Sequence, residues 1–221
     1  MSLLNAELPY LTYLTPFTYG ITADGDLLQL EDDALLSAAR QRGVRPVMHL
    51  STMTETGQFD TQRATLVLTD SAVQDRLVDQ VQQTLRRRGY AGLDVDFEFL
   101  PGQLAAAYAA FLARLRRLLN SQGFFLWAAL APKTSARQAG LLYEGHDYAA
   151  VGAAVDGVLL MTYEWGYTAA DGTIHEVWFE DARSLSARLS LIAEYGFQGA
   201  GIWNLMRPFS QLWLVISSPV S

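Results

Sequence analysis

Two amphipathic helices with one short alternating strand between them occupy the middle of the chain, and few folds accept that order. From Asp70 or Ser71 onward Val73, Leu77, Val78, Val81 and Leu85 recur at helical spacing, and Gly89 stands where the helix should end. After Pro101-Gly102 a second such run carries Leu104, Tyr108, Phe111, Leu112, Leu115 and Leu119 and stops near Gly123. Between them lies Ala91-Gly92-Leu93-Asp94-Val95-Asp96-Phe97-Glu98, in which apolar and acidic residues alternate with the period of a strand. A strand walled by a helix on either side is the repeating unit of a parallel α/β sheet.

The same alternation runs through the rest of the chain. Leu11 to Tyr19 reads as a strand that ends at a turn centred on Asp24-Gly25-Asp26. Asp32 and Asp33 are placed to cap a helix reaching Gly43, with Leu35, Leu36 and Ala39 on its inner side. Arg45 to Leu50 reads as the next strand and Ser51 to Thr61 as a loop long enough to shape a site. Phe124 to Leu130 and Gly157 to Tyr163 are further strands, with a short helix over Ala149 to Val155. Asp171-Gly172 suits the turn of a hairpin joining Tyr167 to Phe179. A helix from about Asp181 to Tyr195 then leads to a last strand, Gly199 to Leu205, and no repeat or linker divides the chain: residues 1–221 read as a single domain.

On a strand, Asp94, Asp96 and Glu98 share one face while Leu93, Val95 and Phe97 share the other. Like charges at that spacing repel, so one of them should hold a proton well above its free pKa. A protonated carboxylic acid beside ionised neighbours is what a general acid for a glycosidic bond requires. The plainer alternative is a solvated polar face, but the two flanking helices leave three charges little water.

Composition narrows the function classes. At 221 residues with half of them hydrophobic and 18% charged, the chain is globular, and its net charge of −7 argues against a nucleic-acid partner. The one dense basic cluster, Arg86-Arg87-Arg88, falls at a helix C-terminus, where the helix dipole favours cations. Cysteine is absent, which excludes disulfides and thiolate metal sites, and His49, His146 and His175 lack metal-ligand spacing. No cofactor or metal is expected, and each histidine taken alone reads as a satisfied structural or surface residue. No apolar run reaches membrane-spanning length and no signal peptide is visible, so no membrane partner is expected. In a parallel barrel the chemistry sits at the C-terminal ends of the strands. That singles out Thr15 to Tyr19, His49 to Thr52, Asp96 and Glu98, Lys133, Tyr163 and Glu164, and Trp203.

The carboxylate strand resembles the signature D-G-x-D-x-D-x-E of glycoside hydrolase family 18, with Ala91 in place of the first Asp. Further phrases resemble that family's spore-cortex peptidoglycan hydrolase branch (YaaH/SleL type): Leu8 to Gly20, Ala129 to Ala136, Leu141 to Gly152, Leu160 to Tyr167, His175 to Ser184, Gly201-Ile202-Trp203 and Arg207 to Ile216. The resemblance implies a (β/α) TIM-type barrel, here abbreviated, with a β-hairpin insertion. It also implies retaining, substrate-assisted hydrolysis of GlcNAc-containing glycans, either peptidoglycan such as spore-cortex fragments or chitin oligomers. By position, Glu98 is the acid that protonates the leaving oxygen, Asp96 orients the substrate acetamide, and Asp94 tunes Asp96. Tyr163 holds the acetamide oxygen that serves as nucleophile. Trp203 forms an apolar floor, and Glu164, where many members have Asp, joins Tyr19 and Lys133 as substrate-binding residues.

Against the family's eight strands, only six are recognisable here, and the first and seventh have no counterpart by motif. A smaller or distorted barrel, an open sheet covered by the hairpin and tail, or a homodimer would cover the unpaired edges. The resemblance places the protein at the spore cortex or coat, or in the cell wall. The alternative function is a catalytically impaired glycan-binding or spore-coat structural protein on a truncated barrel.

Overall fold

The computed structural model describes residues 2–163, 180–207 and 209–217. In chain order the elements are α1 (Ser2–Glu7), β1 (Tyr13–Leu14), α2 (Asp33–Gln41), β2 (Arg45–Pro46), β3 (Met48–Ser51), α3 (Thr61–Thr69), α4 (Ser71–Arg88) and β4 (Gly92–Asp96). They continue with α5 (Ala105–Asn120), β5 (Phe125–Leu130), α6 (Leu141–Glu144), α7 (Tyr148–Ala154), β6 (Gly157–Leu160), α8 (Ala182–Tyr195) and α9 (Ser210–Ser217). The chain divides into two compact units: Leu11–Thr162, and a second made of Met1–Tyr10 and Tyr163–Ser221.

In the first unit every strand pairing is parallel. β1 pairs with β2, and β3, β4, β5 and β6 follow one another in that order. Only Val47 separates β2 from β3, and a Tyr19–Leu50 bridge continues the first strand's path alongside β3. Strand order therefore rises with sequence and never reverses, the arrangement of a parallel α/β barrel rather than of a doubly wound sheet. The fold is that of a TIM-type barrel in abbreviated form.

Each element forms for a local reason. The Asp70 carboxylate accepts from the Ala72 and Val73 amides to start α4, and Gly89, at φ 64°, ends it in the left-handed region. The face of α4 bearing Val73, Leu77, Val78, Val81 and Leu85 is buried, and so is the face of α5 bearing Tyr108, Phe111, Leu112, Leu115 and Leu119. Both belong to the cluster that holds Leu50, Leu93, Val95 and Phe97 of the strand layer. Burying one such side chain is worth about 1.5–3 kcal/mol, which makes this seam the main support of β4. Gly92 lets β4 and β5 approach closely, since a Cβ there would lie 2.6 Å from the Phe125 carbonyl oxygen and 2.5 Å from its ring.

Several expectations change on contact with the structure. Within the stretch Leu11 to Tyr19, only Tyr13–Leu14 is regular strand, while Tyr19 joins by its single bridge. Asp32 precedes α2, but its side chain makes no capping bond. Its carboxylate is buried instead, accepting from Tyr19, Tyr90 and Arg88. Arg88 also pairs with Asp33 at 2.7 Å, so this part of the basic cluster serves an ion-paired network rather than only the helix dipole. The loop after β3 ends in an unforeseen helix, α3, capped by Asp60. In the second unit α8 starts at an Asp181–Ser184 capping box, and its C-terminal glycine, Gly196, takes φ 67°. Gly199 to Leu205 forms no strand, contrary to the alternation read from its sequence. The expected hairpin lies outside the described residues.

Candidate active site

The pleat of β4 turns Asp94 and Asp96 to the face opposite Leu93 and Val95, whose side chains are fully buried. Register then sets His49 of β3 beside Asp94 and Ser51 beside Asp96. The two aspartates and His49 are all buried, and they converge: His49 Nε2 lies 3.6 Å from Asp96 Oδ2 and 3.9 Å from Asp94 Oδ2. The other ring nitrogen, Nδ1, is 2.6 Å from Thr18 Oγ1, and the Phe17 ring packs 4.7 Å from the imidazole. Thr18 Oγ1 in turn lies 3.0 Å from Ser51 Oγ.

Burial sets the charge state of this cluster. Loss of water pushes the Asp94 carboxyl up to about 7 and pulls the His49 imidazole down to about 3. A high carboxyl was expected from repulsion between neighbouring acids; desolvation is the cause the structure supplies. Behind the pair, burial and then the charges of Asp96 and Asp94 raise the Tyr108 phenol. A neutral imidazole beside a carboxyl that burial holds protonated carries less charge into the core than an imidazolium beside an ionised acid would.

β4 ends at Asp96, so Glu98 stands just beyond the strand, half-buried. Its two neighbours are clamped by backbone hydrogen bonds. Ala131 N–H donates to His146 Nδ1 at 3.3 Å, which leaves the ring proton on Nε2 to donate to the Phe97 carbonyl at 2.9 Å. On the far side the Thr61 hydroxyl donates to the Phe99 carbonyl at 2.9 Å, and Phe99 takes φ 53°. A left-handed phenylalanine costs roughly 1–3 kcal/mol, a cost met where the backbone must present a particular side chain. Burial lowers the His146 pKa, so the clamp is held by a neutral ring.

The remaining expected site residues fall in different places. Tyr19 is fully buried, with its hydroxyl donating to Asp32 at 3.2 Å. It shares the outward side of the strands with its bridge partner Leu50, opposite to the aspartates. Lys133 follows β5, its ammonium donating to the His146 carbonyl and lying 5.4 Å above the Tyr148 ring. Tyr163 and Trp203 belong to the second unit, where their rings stack at 6.3 Å with 24° between planes, and Trp203 is 49% exposed. Glu164 lies outside the described residues. Among the described residues no cluster of His, Asp and Glu is arranged to hold a metal ion.

His49 and His146 are the residues whose part could not be read from spacing. The position of His49 near a strand end was the available signal. Its partners, Thr18 and the two aspartates, come from segments 31 to 47 positions away and meet it only through strand pairing.

Asp94 and Asp96 lie in the C-terminal half of β4, with Glu98 just beyond it, the end of a parallel strand at which barrel enzymes carry their chemistry. Residues 48–175 match the family described as Glycosyl hydrolases family 18. The cortical fragment-lytic enzyme of Bacillus subtilis (strain 168) is 30% identical over 95% of this chain and 68% of its own length. Among solved structures, the spore cortex-lytic enzyme SleL of Bacillus megaterium QM B1551 superposes with a TM-score of 0.87 at 27% identity, covering 97% of this chain and 68% of that one. A chitinase from Chromobacterium violaceum ATCC 12472, at 19% identity, shares the fold with a TM-score of 0.85 over 97% and 93% of the two chains. The chain belongs to glycosyl hydrolase family 18 and is a glycoside hydrolase. The alignment with the Bacillus subtilis enzyme runs to 293 positions, more than the 221 residues here, so that relative carries internal segments without a counterpart in this chain.

Proposed function

We propose that the protein is a retaining, substrate-assisted N-acetylglucosaminidase that acts on peptidoglycan, in the first place spore-cortex fragments. The observation that carries this reading is the buried Asp94/Asp96 face of β4 with Glu98 directly beyond it. Glu98 would protonate the glycosidic oxygen and later activate water. Asp96 closes β4 and Glu98 follows two positions on, so the two would address one sugar from different points. Asp96, beside a protonated Asp94, would accept the acetamide N–H and turn the acetamide oxygen toward the anomeric carbon. That oxygen closes an oxazolinium ion, and an internal nucleophile so oriented can contribute on the order of 7 kcal/mol or more. Tyr163 would hold the acetamide oxygen, with Glu164 beside it in sequence. Trp203, exposed and stacked on Tyr163, would offer its flat face to the ring C–H groups.

The test is sugar release from purified cortex fragments and from chitin oligomers. Glu98→Gln should lower kcat roughly 100-fold or more, the usual worth of a positioned acid, while leaving binding intact. Equal rates for wild type and Glu98→Gln would refute the assignment.

Two observations favour a second reading, a glycan-binding or spore-coat protein with impaired catalysis. The internal segments of the Bacillus subtilis relative have no counterpart here, and Gly199 to Leu205 forms no strand. Calorimetric binding of N-acetylglucosamine oligomers without any turnover would support it. A homodimer belongs to either reading, with the exposed Val158 and Leu160 of β6 as apolar surface it could cover; sedimentation at two concentrations tests it.

A further inference from the structure

We propose that His49 is a positioning residue of this site: pinned through Nδ1 by Thr18, it directs an Nε2–H at the Asp94/Asp96 pair and fixes the negative charge on Asp96 and the proton on Asp94. The inference rests on the hydrolase reading for its use, but its geometry does not.

Three contacts carry it. The 2.6 Å separation between Thr18 Oγ1 and His49 Nδ1 is a full hydrogen bond, whereas the threonine's other neighbours, the Ser51 hydroxyl and the Tyr19 and His49 carbonyls, lie at 3.0 to 3.4 Å. Where the hydroxyl gives its proton to Nδ1 rather than to Ser51, the single proton of the neutral ring sits on Nε2, the tautomer the proposal requires. Nε2 then looks at two carboxylate oxygens and lies closer to that of Asp96, 3.6 Å against 3.9 Å. The positive end of an N–H bond in a water-poor site favours the ionised form of the nearer acid. Among the described residues, the ionisable groups that meet the imidazole lie on the β4 side. Asp94 and Asp96 come from β4, with the Tyr108 phenol of α5 behind them, while Thr18, Ser51 and the Phe17 ring occupy the other directions. Burial keeps the ring neutral through the working pH range, so it acts as a fixed dipole and not as a proton carrier.

The arrangement has a use in the reaction. An acetamide N–H needs an acceptor, and the oxazolinium that follows needs a negative charge close by; Asp96 supplies both only when its proton rests elsewhere. His49 would hold that distribution before substrate arrives.

Nitrogen-15 spectra of the imidazoles, with the His49 signals assigned by their loss in His49→Gln, read the tautomer in the wild-type protein. Carbon-13 spectra of the aspartate carboxyls, assigned with Asp94→Asn and Asp96→Asn, read the titration. The expected results are a neutral ring protonated on Nε2, and a carboxyl titration that moves upward by on the order of one pH unit in His49→Phe. His49→Gln, whose amide can place an N–H at the same reach, should stay near wild type. In catalysis, the acidic limb of kcat/KM should move upward in His49→Phe while KM holds. A ring protonated on Nδ1, or a His49→Phe titration coincident with wild type, overturns the inference. The wild-type tautomer decides it if His49→Phe does not fold. Should the protein hydrolyse no glycan at all, the functional reading fails while the two spectra still judge His49.

Discussion

Removing either His49 or Asp94 should expose a pH dependence of stability that the intact pair conceals. The Asp94 carboxyl rises from 3.8 to about 7 on folding, and the His49 imidazole falls from 6.5 to about 3. Between about pH 4 and 6.5 the unfolded chain therefore binds one proton, on the histidine, and the folded chain binds one, on Asp94. The two contributions cancel, and the pair adds no slope in that window. In His49→Gln only Asp94 remains. A raised carboxyl contributes stability below its unfolded pKa and loses it as pH climbs toward 7, at about 1.4 kcal/mol per pH unit. In Asp94→Asn only His49 remains. Its depressed pKa makes stability fall as pH drops from 6.5 toward 3, at the same rate and with the opposite sign. Over two pH units each variant should depart from wild type by about 3 kcal/mol, in opposite directions. Urea unfolding at half-unit steps from pH 4.5 to 6.5 measures this, since every other titrating group is common to the three proteins. Parallel curves for all three would refute the charge state assigned to the site.

Replacing Arg88 by Met strands the fully buried Asp32 carboxylate with two phenols for partners, so about 3–5 kcal/mol should be lost in chemical denaturation. Gly92→Ala drives a methyl into the Phe125 carbonyl and ring of the neighbouring strand, and backbone there cannot swing aside. A loss of roughly 1–3 kcal/mol is expected as a lowered Tm, and a variant as stable as wild type would show that β4 and β5 can separate without cost.

The family likeness and the α/β class were legible in the sequence because both reside in local patterns. Helical periodicity placed α4 and α5, Gly89 marked the end of α4, and the alternation around Asp94 and Asp96 assigned them one face before any contact was known. Gly199 to Leu205 shows where such patterns stop: its residues suit a strand, yet a strand exists only where a neighbour accepts its hydrogen bonds. Tyr19 makes the same point, since a strand-end tyrosine can face either layer, and the buried Asp32 carboxylate holds it in the outer one.

By itself, then, the order of residues determined which acids lie together and which helices shield them, because those relations repeat every two or every 3.6 positions along the chain. Only the tertiary structure decided the protonation of the site. Burial, and the pairing that brings His49 and Thr18 to Asp94 and Asp96 from distant segments, set the local dielectric and the facing dipoles, and pKa values follow those surroundings rather than residue type.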